Sequence, residues 1–299
     1  MNTLILKLGA TGDVVRTTPF LRRLDGEITW ITADKNVALL DGIHDRLKSF
    51  SWENRHLAPK VAYDLVINLE DTVEVGQFAQ SLKAKRTFGA FLEAGDALRY
   101  TEDARAWFDL SLISSYGRQE ADQLKLRNRK TYQELVFTGL GWRFTNDDTY
   151  LLPQGTDTGL AGDVAVAAEA GPVWPMKNWA YYRQLQQELE KRGLKVNVLP
   201  KRPTLLEHLA DVRNHRCLVG GDSLPMHFAL GSNRRCVSIF NCTSPWEIHD
   251  YGLQTKLISP LLEEFFYRRN FEARATTAIA LEEVLRAVLA QVEASLVSK

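Results

Sequence analysis

The residues best suited to bind or transform a substrate lie in segment 219–229, which reads Val-Gly-Gly-Asp-Ser-Leu-Pro-Met-His-Phe-Ala. Residues 217–219 are typical of the end of a short buried strand, and the two glycines after them predict a sharp turn. Ser223 is a good helix N-cap, and Pro225 stands where a first helical turn tolerates a missing N–H. A strand, a glycine turn and a helix start leave backbone N–H groups free to bind an anion, most often a phosphate.

Asp222 stands beside this predicted anion site. A carboxylate repels phosphate but accepts hydrogen bonds from sugar hydroxyls, so the two features together suggest a nucleotide-sugar site. Gly-Gly-Asp-Ser between a strand and a helix is equally compatible with an ordinary structural turn, because short motifs are weak evidence by themselves.

The chain opens with a second glycine-containing segment. Residues 3–8 predict a buried strand, residues 9–13 (Gly-Ala-Thr-Gly-Asp) predict a turn, and residues 14–24 predict a helix. Pro19 falls inside that helix and should kink it or delay its start.

A dinucleotide-binding fingerprint is incomplete in this segment. The fingerprint needs a third glycine where Val15 stands, and Asp34 is the one candidate acid after the second predicted strand. NAD(P) binding is therefore the weaker interpretation.

Composition limits the class of protein. Lysine plus arginine and aspartate plus glutamate both number 37, so no global field favours nucleic acid or an anionic membrane. Cys217, Cys236 and Cys242 show neither metal-ligand nor disulfide spacing, which predicts a reducing compartment. No apolar run approaches the ~20 residues that span a bilayer, and a first strand that starts by Thr3 leaves no room for a signal peptide. We expect a cytoplasmic protein.

Predicted strands and helices alternate along both halves of the chain. The first half has predicted strands at 28–32, 47–50, 63–69 and 86–89, and helices at 37–40, 75–82, 107–112 and 130–140. The second half has predicted strands at 163–168, 195–199, 217–219 and 235–240, and helices at 179–192, 205–212 and 280–297. A polar linker at 152–159 separates two predicted domains, 1–155 and 156–299. The alternation predicts two parallel, doubly wound α/β sheets with a cleft between them and ligands at the carboxyl ends of the strands.

Four segments carry a resemblance to a known family. They are residues 6–19, which open the chain, residues 174–179 (Trp-Pro-Met-Lys-Asn-Trp), residues 222–229, and residues 240–245 (Phe-Asn-Cys-Thr-Ser-Pro). In this order they resemble the opening segment, the Trp-Pro-x-Lys-x-Trp segment, the Asp-Thr-Gly-Pro-x-His signature and the Phe-Gly-x-Thr-x-Pro loop of the family-nine glycosyltransferases. That family comprises the ADP-heptose heptosyltransferases of lipopolysaccharide assembly. Leu224 and Asn241 stand where the family has glycines.

The resemblance implies a GT-B fold, in which two Rossmann-like domains face each other across a cleft. Residues 1–155 would be the acceptor-side domain and residues 156–299 the domain that binds the nucleotide-sugar. The implied chemistry is inverting and metal-independent, with no cofactor beyond the ADP-sugar donor. The chain contains no Asp-x-Asp pair, the usual metal grip of the other glycosyltransferase architecture.

Two catalytic roles follow from the resemblance. Asp13 would be the general base that takes the proton of the acceptor hydroxyl, although the same residue is also compatible with a simple helix-capping role. Lys177 would stabilise the negative charge on the departing ADP, although a lysine between Trp174 and Trp179 is also compatible with a surface charge that lies on aromatic rings. The two tryptophans themselves are expected to pack.

The substrate-binding residues are predicted in two groups. Donor-binding residues would be Thr11, Gly12, Lys177, Asp222, Ser223, Leu224, His227 and Thr243. Acceptor-binding residues would be Thr17, Arg118, Arg127 and Arg129, of which the arginines belong to a basic cluster with Lys125 and Lys130. His227 is also compatible with a packed residue, Thr243 with a helix cap, and the basic cluster with a solvated face.

The leading function is therefore transfer of a heptose from ADP-heptose to a hydroxyl of a glycan or glycolipid acceptor. It implies at most peripheral membrane contact, with the inner face of the inner membrane as a second location, and no nucleic-acid partner. Two alternatives stay open: an NAD(P)-dependent sugar epimerase or reductase, and a non-catalytic protein that binds a nucleotide-sugar.

Overall fold

The computed structural model describes residues 1–297 of the chain. They form two compact units that divide between Pro153 and Gln154. Each unit is a mainly parallel sheet with helices, as the alternation of elements predicts. Within the described residues, no helix combines the length and the apolar character that a bilayer crossing needs.

Unit 1 contains a six-stranded sheet. Its strands are β1 (Asn2–Leu6), β2 (Glu27–Thr32), β3 (Leu47–Ser51), β4 (Tyr63–Asn68), β5 (Ala84–Glu93) and β6 (Ala97–Tyr100). The order is β3-β2-β1-β4-β5-β6, and all neighbours are parallel except the β5–β6 hairpin. The central strand β1 is buried from its second residue onward and ends in three apolar residues, which fits a sheet whose two faces are both covered by helices.

The helices of unit 1 are α1 (Thr11–Thr17), α2 (Val73–Ser81), α3 (Arg105–Phe108), α4 (Arg118–Arg127) and α5 (Tyr132–Leu140). The helix predicted over 14–24 is shorter, because α1 ends at Thr17 and a 3₁₀ helix, Thr18–Arg22, follows with Pro19 in its first turn. The strand predicted at 86–89 is longer, since β5 runs for ten residues and pairs with the unpredicted β6.

Unit 2 contains a five-stranded parallel sheet. Its strands are β7 (Gly162–Ala167), β8 (Val196–Val198), β9 (His215–Gly221), β10 (Arg235–Phe240) and β11 (Gln254–Ile258), in the order β11-β10-β9-β7-β8. Its helices are α6 (Tyr182–Glu190), α7 (Leu205–Arg213), α8 (Leu224–Gly231), α9 (Leu262–Phe265), α10 (Ala273–Thr277) and α11 (Leu281–Val297). Cys217, Cys236 and Cys242 are buried free thiols.

Candidate active site

The strand that leads to the predicted anion site is longer than its sequence pattern indicates. β9 continues through Gly220 and Gly221, so these glycines do not form the predicted turn. A Cβ on Gly220 would lie 2.8 Å from the Cβ of Ala167, and one on Gly221 would lie 2.9 Å from the carbonyl oxygen of Lys177. The glycines are therefore required for close approach, and Gly221 in particular allows the Lys177 backbone to lie against β9.

Lys177 and Asp222 form a largely buried ion pair at the end of β9. The Lys177 Nζ donates to the Asp222 carbonyl oxygen at 2.5 Å and to its Oδ2 at 3.0 Å. The two side chains are 14% and 17% exposed. Burial alone would raise the pKa of Asp222, but the charges of Lys177 and His227 hold that pKa below its usual range. The site therefore presents an ammonium group that is held in place by a carboxylate.

The start of α8 lies directly after Asp222. Ser223 occupies the N-cap position with φ −153° and ψ 176°, but its hydroxyl does not cap the helix and lies 3.4 Å from the Gly221 carbonyl oxygen. The prediction that the Ser223 side chain caps the helix is therefore wrong, although the helix begins where the sequence predicts. The first N–H groups of a helix have no intrahelical acceptor, so those near Ser223 and Leu224 suit an anion. His227 is 5% exposed in the same first turn.

The loop after β10 lies at the same edge of the sheet. The Nδ2 of Asn241 donates to the Met176 carbonyl oxygen at 2.9 Å and so joins this loop to the turn that carries Lys177. In the part of the chain that the structure describes, the buried Asn241 Oδ1 and Ser244 Oγ have no hydrogen-bond partner. Thr243, between them, is also buried and contributes to the lowered pKa of Asp222. Buried polar atoms are normally paired, so this edge is suited to a polar ligand.

Lys256 on β11 holds the segment after β10 through hydrogen bonds to its backbone. Its Nζ donates to the carbonyl oxygens of Pro245 and Ile248, at 2.8 Å and 2.5 Å. Burial lowers the pKa of Lys256, which the charge of Asp250 partly offsets. The loop is therefore fixed by both Asn241 and Lys256.

The two tryptophans near Lys177 are packing residues, as expected. Trp179 is 3% exposed and donates its ring N–H to the Ile279 carbonyl oxygen. Trp174 lies edge-on to Tyr267, and the Arg269 guanidinium lies 5.4 Å from its ring centre. Lys177 itself bonds to Asp222, so it is not a surface charge that rests on these rings.

Asp13 lies in the first turn of α1, in unit 1. Its Oδ1 is 2.9 Å from the Nη2 of Arg16, and its side chain is 33% exposed, whereas that of Arg16 is 10% exposed. The Arg16 guanidinium lies 4.3 Å from the ring centre of Tyr132 and 5.3 Å from that of Trp107. A cation–π cage therefore fixes the arginine that holds Asp13.

Thr17 supports this cluster from within. It is fully buried, and its hydroxyl donates to the Asp13 carbonyl oxygen and lies 2.7 Å from the Tyr132 hydroxyl. Burial raises the pKa of Tyr132 to about 12. The Thr17 side chain therefore faces the protein interior, and its predicted contact with an acceptor stays a prediction. Thr11, by contrast, is partly exposed and donates to the Asn36 Oδ1 at 2.8 Å.

A second ion pair lies beneath the loop that precedes α1. The Lys7 Nζ is 2.9 Å from Glu70 Oε1, which also accepts hydrogen bonds from the backbone N–H groups of Leu8 and Gly9. Burial opposes the charge on Lys7, but Glu70 and, next, Asp13 raise its pKa above the usual value. Sequence reasoning missed Lys7, Arg16, Glu70 and Tyr132. A lysine inside an apolar strand end and an arginine three residues after Asp13 were the available signals.

We expect Glu70→Gln to lower the free energy of unfolding by about 2 kcal/mol, because it removes the charge that pairs with a buried lysine and weakens a multiply bonded acceptor. Urea unfolding measures the change. Glu74→Gln is the matched control, since Glu74 is 66% exposed and its pair with Arg55 spans 3.6 Å, so about 0.5 kcal/mol or less is expected. Equal losses in the two variants would contradict a structural role for the Glu70 pair.

Two of the arginines predicted to bind an acceptor pair with acids of their own helix, α4. Arg118 contacts Asp122 at 2.9 Å and Arg127 contacts Glu120 at 2.7 Å. Arg129 donates to the backbone carbonyl oxygens of Leu126 and Asn128. These contacts favour the alternative of a solvated face, because acids on α4 already pair with Arg118 and Arg127.

The fold defines the class of protein to which the structure is similar. Residues 1–297 contain no cluster of three or more His, Cys, Asp or Glu side chains suited to a metal ion. Two Rossmann-like units of this kind match GT-B type glycosyltransferase structures over almost the whole chain, which confirms the predicted fold class.

Particular solved structures give the extent of the match. A family 9 glycosyl transferase from Veillonella parvula is 15% identical, with a TM-score of 0.61 and coverage of 98% of this chain and 97% of that chain. E. coli heptosyltransferase WaaC with ADP is 16% identical, with a TM-score of 0.60 and coverage of 99% and 100%. E. coli ADP-heptose lps heptosyltransferase II is 14% identical, with a TM-score of 0.62 and coverage of 99% and 100%. No protein-family model and no curated protein matches the sequence. The similarity therefore establishes the fold, and activity must be argued from the residues.

Proposed function

We propose that the protein is an inverting, metal-independent glycosyltransferase that moves a heptose from ADP-heptose to a hydroxyl of an acceptor glycan. The acceptor would be lipopolysaccharide core or a related glycoconjugate, and no cofactor other than the donor is required. The solved structures that share this fold include heptosyltransferases, one with ADP and another with ADP-2-deoxy-2-fluoro heptose, which supports this choice of donor.

The observation that carries the proposal is the Lys177–Asp222 pair at the start of α8. It joins an ammonium group, the first N–H groups of a helix and a carboxylate at the carboxyl ends of parallel strands, where such sheets bind ligands. The ammonium and the N–H groups suit a diphosphate, whereas the Asp222 carboxylate suits sugar hydroxyls.

The proposed reaction is a single displacement. Asp13 takes the proton of the acceptor hydroxyl. At the same time the oxygen of that hydroxyl bonds to the anomeric carbon, from the face opposite the diphosphate. The bond between that carbon and the β-phosphate oxygen breaks, and its electron pair leaves with ADP. Lys177 and the α8 N–H groups stabilise the negative charge that develops on the β-phosphate, a role that a metal ion has in glycosyltransferases of the other architecture.

We expect ADP, present at about one hundred times its Kd, to raise the melting temperature by about 5 °C, because a ligand at that excess stabilises the native state by about 2.7 kcal/mol. NADPH should cause no shift. Differential scanning fluorimetry measures both, and a nucleotide-sugar panel in the same format identifies the donor. A shift with NADPH alone would support the epimerase or reductase alternative. An ADP shift without sugar transfer to any acceptor tested would support the binding-protein alternative.

A further inference from the structure

A cavity of about 300 Å³ lies in unit 1, apart from the residues assigned to the donor. Its walls come from α3, from the turn after α3 and from α4, and it is lined by Ala106, Asp109, Leu110, Tyr116, Glu120 and Leu124. The volume is at the small end of the ~300–1,000 Å³ range of small-molecule sites, which suits one sugar-sized ring.

The chemistry of the walls combines apolar surface with hydrogen-bond acceptors. Leu110, Leu124 and the Tyr116 ring offer apolar contact to the C–H faces of a ring. Asp109 Oδ1 accepts from the Tyr100 hydroxyl at 2.6 Å, and its Oδ2 accepts from Arg105 at 3.1 Å. A carboxylate has about four lone-pair sites, so such a group still accepts hydrogen bonds from ligand hydroxyls.

The charges around the cavity are already balanced by one another. Arg105 contacts Asp109 and Glu102, and it also donates to the Tyr116 hydroxyl. Arg127 pairs with Glu120 across 2.7 Å. An anionic ring would be repelled by the carboxylates of Asp109 and Glu120. A cationic ring would compete with Arg105 and Arg127 for those carboxylates, so a neutral ligand is favoured.

The cavity and the cluster around the candidate base share a supporting helix. Ala106, on its wall, is next in the chain to Trp107, whose ring lies 5.3 Å from the Arg16 guanidinium. Arg16 in turn pairs with Asp13. One short helix, α3, therefore contributes both to the cavity and to the cluster that fixes Asp13.

We propose that this cavity binds a neutral, hydroxyl-rich sugar ring of the acceptor. The inference rests on the proposed function and specifies its acceptor: the residue that occupies the cavity carries neither phosphate nor carboxylate. In this proposal the cavity, and not the basic cluster, recognises the acceptor in unit 1.

The test uses the full chain and three glucose-based probes. Methyl α-D-glucopyranoside is the neutral probe, D-glucose 6-phosphate the anionic one and D-glucosamine the cationic one. Saturation-transfer difference NMR should show millimolar binding of the neutral probe and at least about fivefold weaker binding of both charged probes. Tighter binding of a charged probe, or no binding of the neutral one, would overturn the inference.

Ala106→Trp is the blocking variant, because Ala106 is exposed and a large side chain there fills the cavity without disturbing the core. We expect it to weaken the neutral probe at least about tenfold, and Ala106→Ser to retain binding. An unchanged melting temperature and an unchanged ADP shift show that Ala106→Trp is folded. Neutral-probe binding that persists in Ala106→Trp refutes the cavity. The melting-temperature shift with ADP is measured separately. A missing ADP shift would refute the proposed function, whereas binding of the neutral probe to the cavity is decided by the NMR result alone.

Discussion

Asp13→Asn should lower kcat by about 10²- to 10⁴-fold while ADP still raises the melting temperature as in the wild type. The substitution keeps the shape of the side chain and removes its ability to accept a proton. Arg16 stays in place, because it is held between Tyr132 and Trp107 at 4.3 Å and 5.3 Å. The loss should therefore appear in the chemical step and not in donor binding.

A pH profile distinguishes a base from a merely structural acid. The wild type should lose kcat/KM on the acidic side, as the base becomes protonated, and the residual activity of Asp13→Asn should lack that limb. Release of ADP, followed in initial-rate assays, measures both. Asp34→Asn is the matched control, since Asp34 is exposed in the same unit and is the acid that a dinucleotide site would use. A kcat within about twofold of wild type for Asp13→Asn would remove Asp13 from the mechanism.

The apolar strands are the part of the fold that the sequence predicts best. β4 and β10 are mostly buried strands with apolar centres, because helices cover both faces of a parallel sheet. Their observed bounds lie within a residue of the predicted ones. Edge elements are predicted less well. β6 is mostly exposed or half-buried and has no clear alternation, so its pairing with β5 becomes visible only in the structure.

The sequence predicts residues for the candidate site but not the contacts that those residues make. Asp13, Lys177 and Asp222 are placed by motif, yet nothing local indicates that Lys177 contacts a carboxylate 45 positions away. Gly220 and Gly221 read as turn residues, although their lack of a side chain serves close packing. Such long-range requirements depend on which elements become neighbours, and short-range periodicity carries no information about that.

The acids that pair with the predicted acceptor-binding arginines are visible in the chain. Asp122 follows Arg118 by four residues, and on a helix that spacing places the two charges side by side. Composition alone shows a basic cluster in segment 118–127, and only the helix Arg118–Arg127 brings the acids between its cations beside them. A helix prediction there would have indicated a largely self-neutralised surface.

Lys177→Met should lower kcat by about 10²- to 10³-fold and also weaken ADP binding, because the group that faces the departing diphosphate is lost. The substitution leaves the Asp222 carboxylate buried without its main partner, so a stability loss of about 2 kcal/mol is expected as well. A loss of stability by itself lowers activity, so the effect of Lys177 on the chemical step has to be measured apart from its effect on stability.

The double variant Lys177→Met/Asp222→Asn makes the separation. It removes the unpaired carboxylate together with the ammonium group, so the melting temperature should recover while kcat stays low. Lys191→Met is the matched control, since Lys191 is 69% exposed on the same unit and pairs with Glu188 at the surface. EDTA should leave the wild-type rate unchanged, and added Mg²⁺ should not rescue Lys177→Met. Rescue by Mg²⁺, or strict dependence of the wild type on a metal ion, would mean that a cation other than Lys177 stabilises the leaving group, because the developing charge on ADP must be stabilised by one or the other.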